Sequence, residues 1–429
     1  MPDNIFGDRH PIVVDLGFGD AGKGATVDWL CSPAAGLDVA AVVRFNGGAQ
    51  AAHNVVVGEV HHTFSQFGSG TLAGVPTFLS AHMLVEPIAL AAEARDLAAL
   101  GVADPLGLLA VDAAALLTTP IHVAANRARE DARGAARHGS CGKGIGETAG
   151  YALEHDAPTV GDCRHPDLLA AKLTALAAHY AGLLAGSPHR YPALDAMIEM
   201  YREFAGTVEI VGPGYLRSLA GRGRLMFEGA QGVLLDEWRG LHPHTTWSTV
   251  EPSHARAMLA EIGQHGYVLG VTRSYLTRHG AGPFPTEDPA LGALLPEPHN
   301  GTGAYQGAFR VGAFDPLLLR YAIAACGGVD GLAVTHLDAL DRAPLRAAVG
   351  YRTAAGPLTG VDCGPWRDLG YQRRLTDLLA TADPVLGPVP ASVEGFLGYV
   401  ERALGSPVVL GADGPDRADR AVRAVAVAA

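Results

Sequence analysis

The stretch GFGDAGKGAT, Gly17 to Thr26, places four glycines, one lysine and one carboxylate within ten residues. This is a composition suited to receiving phosphate. Successive backbone N–H groups can point at an anion where no Cβ stands in the way, and a helix starting there adds the positive end of its dipole. Gly17, Gly19, Gly22 and Gly24 permit that approach, and Lys23 supplies a point charge. The common nucleotide loop G-x-x-x-x-G-K-[ST] ends in a hydroxyl that holds magnesium, but here Gly24 takes that place. Asp20 is the unexpected member. A carboxylate in an anion cradle repels phosphate unless it binds a metal ion or acts as a base on a neighbouring substrate. The bland reading is a glycine-rich turn with an exposed lysine. A strand before the loop and a helix after it favour phosphate instead.

Such a loop needs a scaffold. PIVVDLGFGD reads as a short apolar strand entering the turn, and KGATVDWLCS as the first turns of a helix. AAVVRFNGGAQ reads as a second strand and loop. RLMFEGAQG and GLAVTHLDALD each read as a buried strand running into a loop. Residues 84–100 and 166–186 carry apolar positions at helical spacing. Strands alternating with helices predict an α/β fold with a mainly parallel sheet and ligand sites at the carboxyl ends of its strands. The glycine-rich loops fall at those ends. Residues 278–315 and 353–370 are rich in Gly and Pro and read as functional loops. The tail RADRAVRAVAVAA receives no function.

The 429 residues carry a net charge of −12. That argues against electrostatic capture of nucleic acid or an anionic membrane, though not against a small anion at a locally positive site. Five widely spaced cysteines without a C-x-x-C pair disfavour structural zinc and a disulfide framework. The N-terminus lacks the pattern of a signal peptide, and no apolar stretch is long enough to span a bilayer, so the expected compartment is the cytoplasm.

Six blocks in order make the reading more specific. GFGDAGKGA resembles the G-D-E-G-K-G loop of the adenylosuccinate synthetase family, and VVRFNGGAQAAHNVVV its V-V-R-[YF]-x-G-G-x-N-A-G-H-T segment. FEGAQGVLLD, LTRHGAGPFPTE, VTHLDALD and DGPDR are similar to F-E-G-A-Q-G-x-x-L-D, T-R-V-G-x-G-P-F-P-T-E, T-K-x-D-x-L-D and G-P-x-R. The resemblance spans roughly residues 10 to 417. It implies one domain over 1–429, with a large central sheet, a helical insertion near 84–222 and a homodimer. It also implies a magnesium-dependent reaction in which GTP phosphorylates the 6-oxygen of inosine monophosphate and the amine of aspartate displaces the phosphate.

The resemblance assigns roles residue by residue. Asp20 falls on the catalytic aspartate, which takes the proton from purine N1 and contacts magnesium. His53 falls on the histidine that stabilises the transferring phosphoryl, and Gln231 on the glutamine that bonds the 6-oxygen. Gly19, Gly22, Lys23 and Gly24 would hold the GTP phosphates, and Ala52 would lend the metal a carbonyl. Asp338 falls on the aspartate that reads guanine, with Gly414 and Pro415 beside it. Glu228 is read as a structural strand-end residue.

Departures from the family pattern cluster around the other substrates. Gln50 stands for asparagine, Cys141 for a phosphate-contacting threonine, Lys143 for an arginine, and His155 for the arginine a partner subunit lends to the 5′-phosphate. Thr246 keeps its place, while His336 replaces the lysine two positions before Asp338. The amino-acid loop, whose arginines hold both aspartate carboxylates, is reduced to Arg310 beside Phe309 and Ala308. One arginine holds one carboxylate in a bidentate pair, so an altered amine is expected, unless Arg278 or Arg273 substitutes, and the departures together imply a specialised member with an altered amine or nucleotide partner. The rival readings are the ordinary ligase, a kinase that stops at a phosphorylated product, and a GTP-binding regulator without catalysis.

Overall fold

In this computed structural model residues 3–134, 137–297, 300 and 305–423 are described. Ten strands form the central sheet: β1 (His10–Asp15), β2 (Val39–Arg44), β3 (Thr77–Leu79), β4 (Leu109–Asp112), β5 (Glu209–Val211), β6 (Arg224–Gly232), β7 (Gly266–Arg273), β8 (Gly331–Thr335), β9 (Val408–Ala412) and β10 (Arg420–Val422). Their spatial order is β10-β9-β8-β7-β1-β6-β2-β3-β4-β5. Every pairing is parallel except that of β9 with β10. Each of the six residues of β1 is buried, which explains its continuous apolar character: a parallel strand covered on both faces has no polar side to show.

The topology puts β1 in the middle, between two strands that enter the chain much later. The loop leaving β1 therefore opens between the carboxyl ends of β6 and β7, where α/β sheets bind ligands. Helix α1 (Lys23–Cys31) follows that loop, and all nine of its residues are buried.

The 84–222 segment is mainly helical. It carries α2 (Pro87–Ala99), α3 (Pro120–Arg133), α4 (Ile145–Ala152), α5 (Pro166–Leu184) and α6 (Leu194–Thr207), packed around their own apolar cluster. It also supplies β4 and β5 to one edge of the sheet. The helix expected over 84–100 starts at Pro87. The Glu86 carboxylate caps it by accepting from the N–H groups of Ile88 and Ala89, while Leu84 and Val85 pair with Leu116 and Leu117. The expected loop 278–315 contains local order: Leu276–His279 pairs antiparallel with Phe309–Gly312, and Pro289–Leu294 is a capped helical turn. The start of the C-terminal tail is fastened, since Arg417 makes two bonds to the buried Asp28 of α1 at 2.7 and 2.6 Å. Among the described residues, no helix is long and apolar enough to cross a membrane.

Candidate functional site

Asp15, the last residue of β1, organises the glycine loop. Its Oδ1 accepts the N–H of Gly17 at 2.8 Å, and its Oδ2 accepts that of Ala21 at 2.9 Å. Lys23 Nζ lies 3.1 Å from the same Oδ2, with both side chains buried. The lysine is therefore anchored at the base of the cradle. Asp20 adopts the left-handed region (φ 61°), and its carbonyl accepts from Arg273 Nε at 2.6 Å. Gly22 (φ 88°) precedes α1 and gives it no side-chain cap, so the first N–H groups of the helix remain available to an anion. Burial raises the Asp20 carboxyl above the ordinary aspartate range, against the pull of Arg273, His279 and Lys23.

Gly24 explains the missing hydroxyl. A Cβ placed there would stand 2.5 Å from His53 Cβ and 2.9 Å from Ser69 Oγ. His53 has taken the space in which a Ser or Thr would stand. Its Nδ1 lies 2.6 Å from Glu228 Oε1, and both side chains are buried. Glu228 also accepts from Ser69, through the backbone N–H at 2.9 Å and the hydroxyl at 2.5 Å. Burial pushes His53 down to about 4. Burial would raise Glu228, but His53, Arg44 and these hydrogen bonds hold it at about 2. The pair is therefore a carboxylate facing a neutral imidazole, with Nδ1–H donated and Nε2 left as the basic nitrogen.

Two cavities meet at this point. The first, about 580 Å³, is lined by Asp20, Gly22, Lys23, Gly24, Ala52 and His53 at one end. Asp338, Gly414 and Pro415 line its other end. Asp338 pairs with Arg342 at 2.9 Å, and the burial of His336 beside it pushes that imidazole well below its usual value. The second cavity, about 510 Å³, is lined by Gln50, Cys141, His155, Gln231 and Thr246. Gln231 is held at φ 58° at the carboxyl end of β6. His279 lines the second cavity and reaches within 3.7 Å of Asp20, which lines the first.

Gly19, Phe309 and Arg310 line neither cavity. Gly19 backs the loop against Gln231 and Gly232. Phe309 packs edge-on to His279 at 4.8 Å between ring centres. Arg310 is engaged by Glu287 at 2.8 Å and the carbonyl of Gly282 at 2.9 Å. Arg273 pairs with Glu297 and Tyr275.

No group of three or more His, Cys, Asp and Glu among the described residues forms a metal cage. A single carboxylate, Asp20, beside a phosphate cradle fits magnesium, which keeps waters and substrate phosphates as ligands. Sequence reasoning missed Asp15 and His279 and gave Glu228 a merely structural role. A carboxylate inside the otherwise apolar run of β6 was the available signal, because a buried charge requires a partner.

The profile of the adenylosuccinate synthetase family matches residues 12–421. The chain is 35% identical to the adenylosuccinate synthetase of Acidithiobacillus ferrooxidans, covering 97% of this chain and 99% of that protein. It is 32% identical to that of Neisseria gonorrhoeae, covering 96% and 98%. The fold matches the fully ligated adenylosuccinate synthetase of Plasmodium falciparum with a TM-score of 0.82 at 21% identity, covering 97% of this chain and 100% of that one. It also matches a cyanophage S-2L succinoaminodeoxyadenylate synthetase, solved with dGMP and dATP, with a TM-score of 0.62 at 17% identity, covering 97% and 95%. The chain therefore belongs to the adenylosuccinate synthetase family of GTP-dependent C–N ligases, whose shared reaction joins inosine monophosphate to aspartate.

Proposed function

We propose that this protein is a specialised member of its family, phosphorylating the 6-oxo group of a purine nucleotide with GTP and coupling an amine other than aspartate. The observation that carries this reading is the meeting of the two cavities at Asp20 and His279, with the phosphate cradle on one side and Gln231 on the other. Asp20 takes the purine N1 proton, and its burial-raised carboxyl makes it a stronger base than a solvated aspartate. The Gln231 amide bonds the 6-oxygen. Lys23 and the first N–H groups of α1 hold the GTP phosphates. His53, oriented by Glu228, faces the transferring phosphoryl through Nε2, and an arriving anion favours its protonated form. Asp20 and the Ala52 carbonyl would hold magnesium, which when bound neutralises charge on the phosphates. Asp338 accepts the guanine N–H donors, and Gly414 and Pro415 border the base.

The altered amine is supported by Arg310, which is committed to Glu287 and the Gly282 carbonyl. The protein incubated with GTP, magnesium, inosine monophosphate and each common amino acid, read by mass spectrometry, tests the reading. We expect a GTP-dependent adduct with an amine other than aspartate. Turnover with aspartate at an ordinary ligase rate and a low KM would identify the ordinary enzyme. A homodimer belongs to the same reading and is checked by light scattering; His155 lines the second cavity of its own chain.

A further inference from the structure

The guanidinium groups in and around the second cavity differ in one respect. Arg129 is paired with Glu147, Arg133 with Glu130, Arg310 with Glu287 and Arg273 with Glu297. Arg278 lines the cavity, is 1% exposed, and forms no ion pair with a carboxylate among the described residues. Its Nε donates to the Ala281 carbonyl at 3.1 Å and its Nη1 to the Pro283 carbonyl at 2.8 Å. The group lies over the Phe18 ring at 4.2 Å. Burial, together with the neighbouring Arg310 cation, lowers it to about 9.

His244 stands beside it. A Cβ on Gly282 would come 2.2 Å from Arg278 Nη2 and 2.8 Å from His244 Cγ, so the two side chains converge on a residue that must remain glycine. The Nδ1 of His244 is buried and has no hydrogen-bond partner. Burial and the charges of Arg278, His138 and Arg310 push this imidazole down to about 4. His138 lines the same cavity at its exposed rim.

A buried cation without a counter-ion, beside a buried ring nitrogen without a partner, is costly unless a ligand completes both. We propose that Arg278 and His244 form a binding site for one anionic group of a substrate, a carboxylate or a phosphate, with His138 at its rim. Arg278 Nη2 and a protonated Nδ1 of neutral His244 donate to the same anion. One guanidinium matches one carboxylate or phosphate. The site shares its cavity with Gln231 and His279, which places the anion on the molecule that reacts. The identity of that molecule rests on the ligase reading, whereas anion binding at Arg278 does not.

Calorimetric titration of the full chain tests the site. The probes are glycine, L-aspartate, inorganic phosphate and inosine monophosphate, with glycinamide and inosine as counterparts that lack the anionic group. Arg278→Met should weaken at least one anionic probe by roughly tenfold or more, the scale of losing a buried charge-assisted contact. Arg278→Lys should recover part of the loss, and His244→Phe should weaken the same probe several-fold. Counterparts without the anionic group should show no loss of binding in the variants. Loss confined to the amino acids assigns a carboxylate, and loss confined to inosine monophosphate and phosphate assigns a phosphate. Should Arg278→Met fail to fold through its lost carbonyl contacts, His244→Phe and Arg278→Lys decide. Anionic probes that bind parent and variants equally, or do not bind the parent, overturn the site. Arg278-dependent binding without any GTP-dependent turnover would sustain the site and sink the ligase reading.

Discussion

Glu228 and His53 offer a test that separates orientation from mere packing. Glu228→Gln keeps the shape and can keep the bond to Nδ1, but removes the charge that stabilises an imidazolium. Partners of this kind, one step from the reacting atoms, typically contribute about 10–100-fold. The expected outcome is a kcat loss of that size with little change in KM for GTP, measured by steady-state kinetics. Unchanged kcat would leave Glu228 with a purely structural role. Asp20→Asn should be more severe, since it removes the carboxylate proposed as the base. A loss of about 10²–10⁴-fold in turnover, with GTP affinity affected less, is expected by phosphate-release assay. Retained turnover would remove Asp20 from the mechanism.

The turn between β1 and α1 shows how an element can depart from a motif for a steric reason. Gly24→Ser restores the consensus hydroxyl, yet its Cβ would collide with His53 and Ser69. Overpacking a buried position costs roughly 1–3 kcal/mol, and here it would also displace the imidazole. Gly24→Ser should therefore lower the midpoint of urea unfolding and reduce turnover, where the motif alone predicts a gain in magnesium affinity. β1, β6 and the helix Pro166–Leu184 could be read from the sequence because buried parallel strands and long amphipathic helices carry their burial in their spacing. Leu84 and Val85 could not, since a two-residue ladder has no period. The Glu228 partners lie 175 and 159 residues away in the chain, so the network around His53 became visible only when β6 was brought against the hairpin in which His53–Val57 pairs antiparallel with Val60–Phe64. The Arg310 ion pair with Glu287 depends in the same way on the pairing of its strand. Motif order named the candidate site residues but could not tell which arginines had their charge already neutralised.

At the scale of the whole molecule, buried titratable groups set the acid limit of the fold. Burial keeps His53, His82 and His244 at about 4 and His122 at about 3. These histidines are neutral when folded and take up protons in the unfolded chain below about 6.5. Their contribution to stability is present above that pH and is lost as pH falls toward their folded values. Glu93 and Asp315 act in the opposite sense. Burial raises them to about 7 and about 6, so their contribution is present at low pH and is lost as pH rises through those values. Four histidines outweigh two carboxyls, and stability should fall from about pH 6.5 toward 4.5. His122 isolates one share of this effect. Its side chain is fully buried, and its Nδ1 accepts the N–H of Thr119 at 3.1 Å, closing the cap of α3. Protonation would turn that acceptor into a donor facing a donor. Each such group contributes a slope of about 1.4 kcal/mol per pH unit in its window. His122→Gln can retain an acceptor there but cannot titrate. Its urea-unfolding free energy should be lower than the parent's at pH 7.5, and its slope between pH 6 and 4.5 shallower by about one proton. A parallel pair of pH profiles would show that His122 is not neutral in the fold.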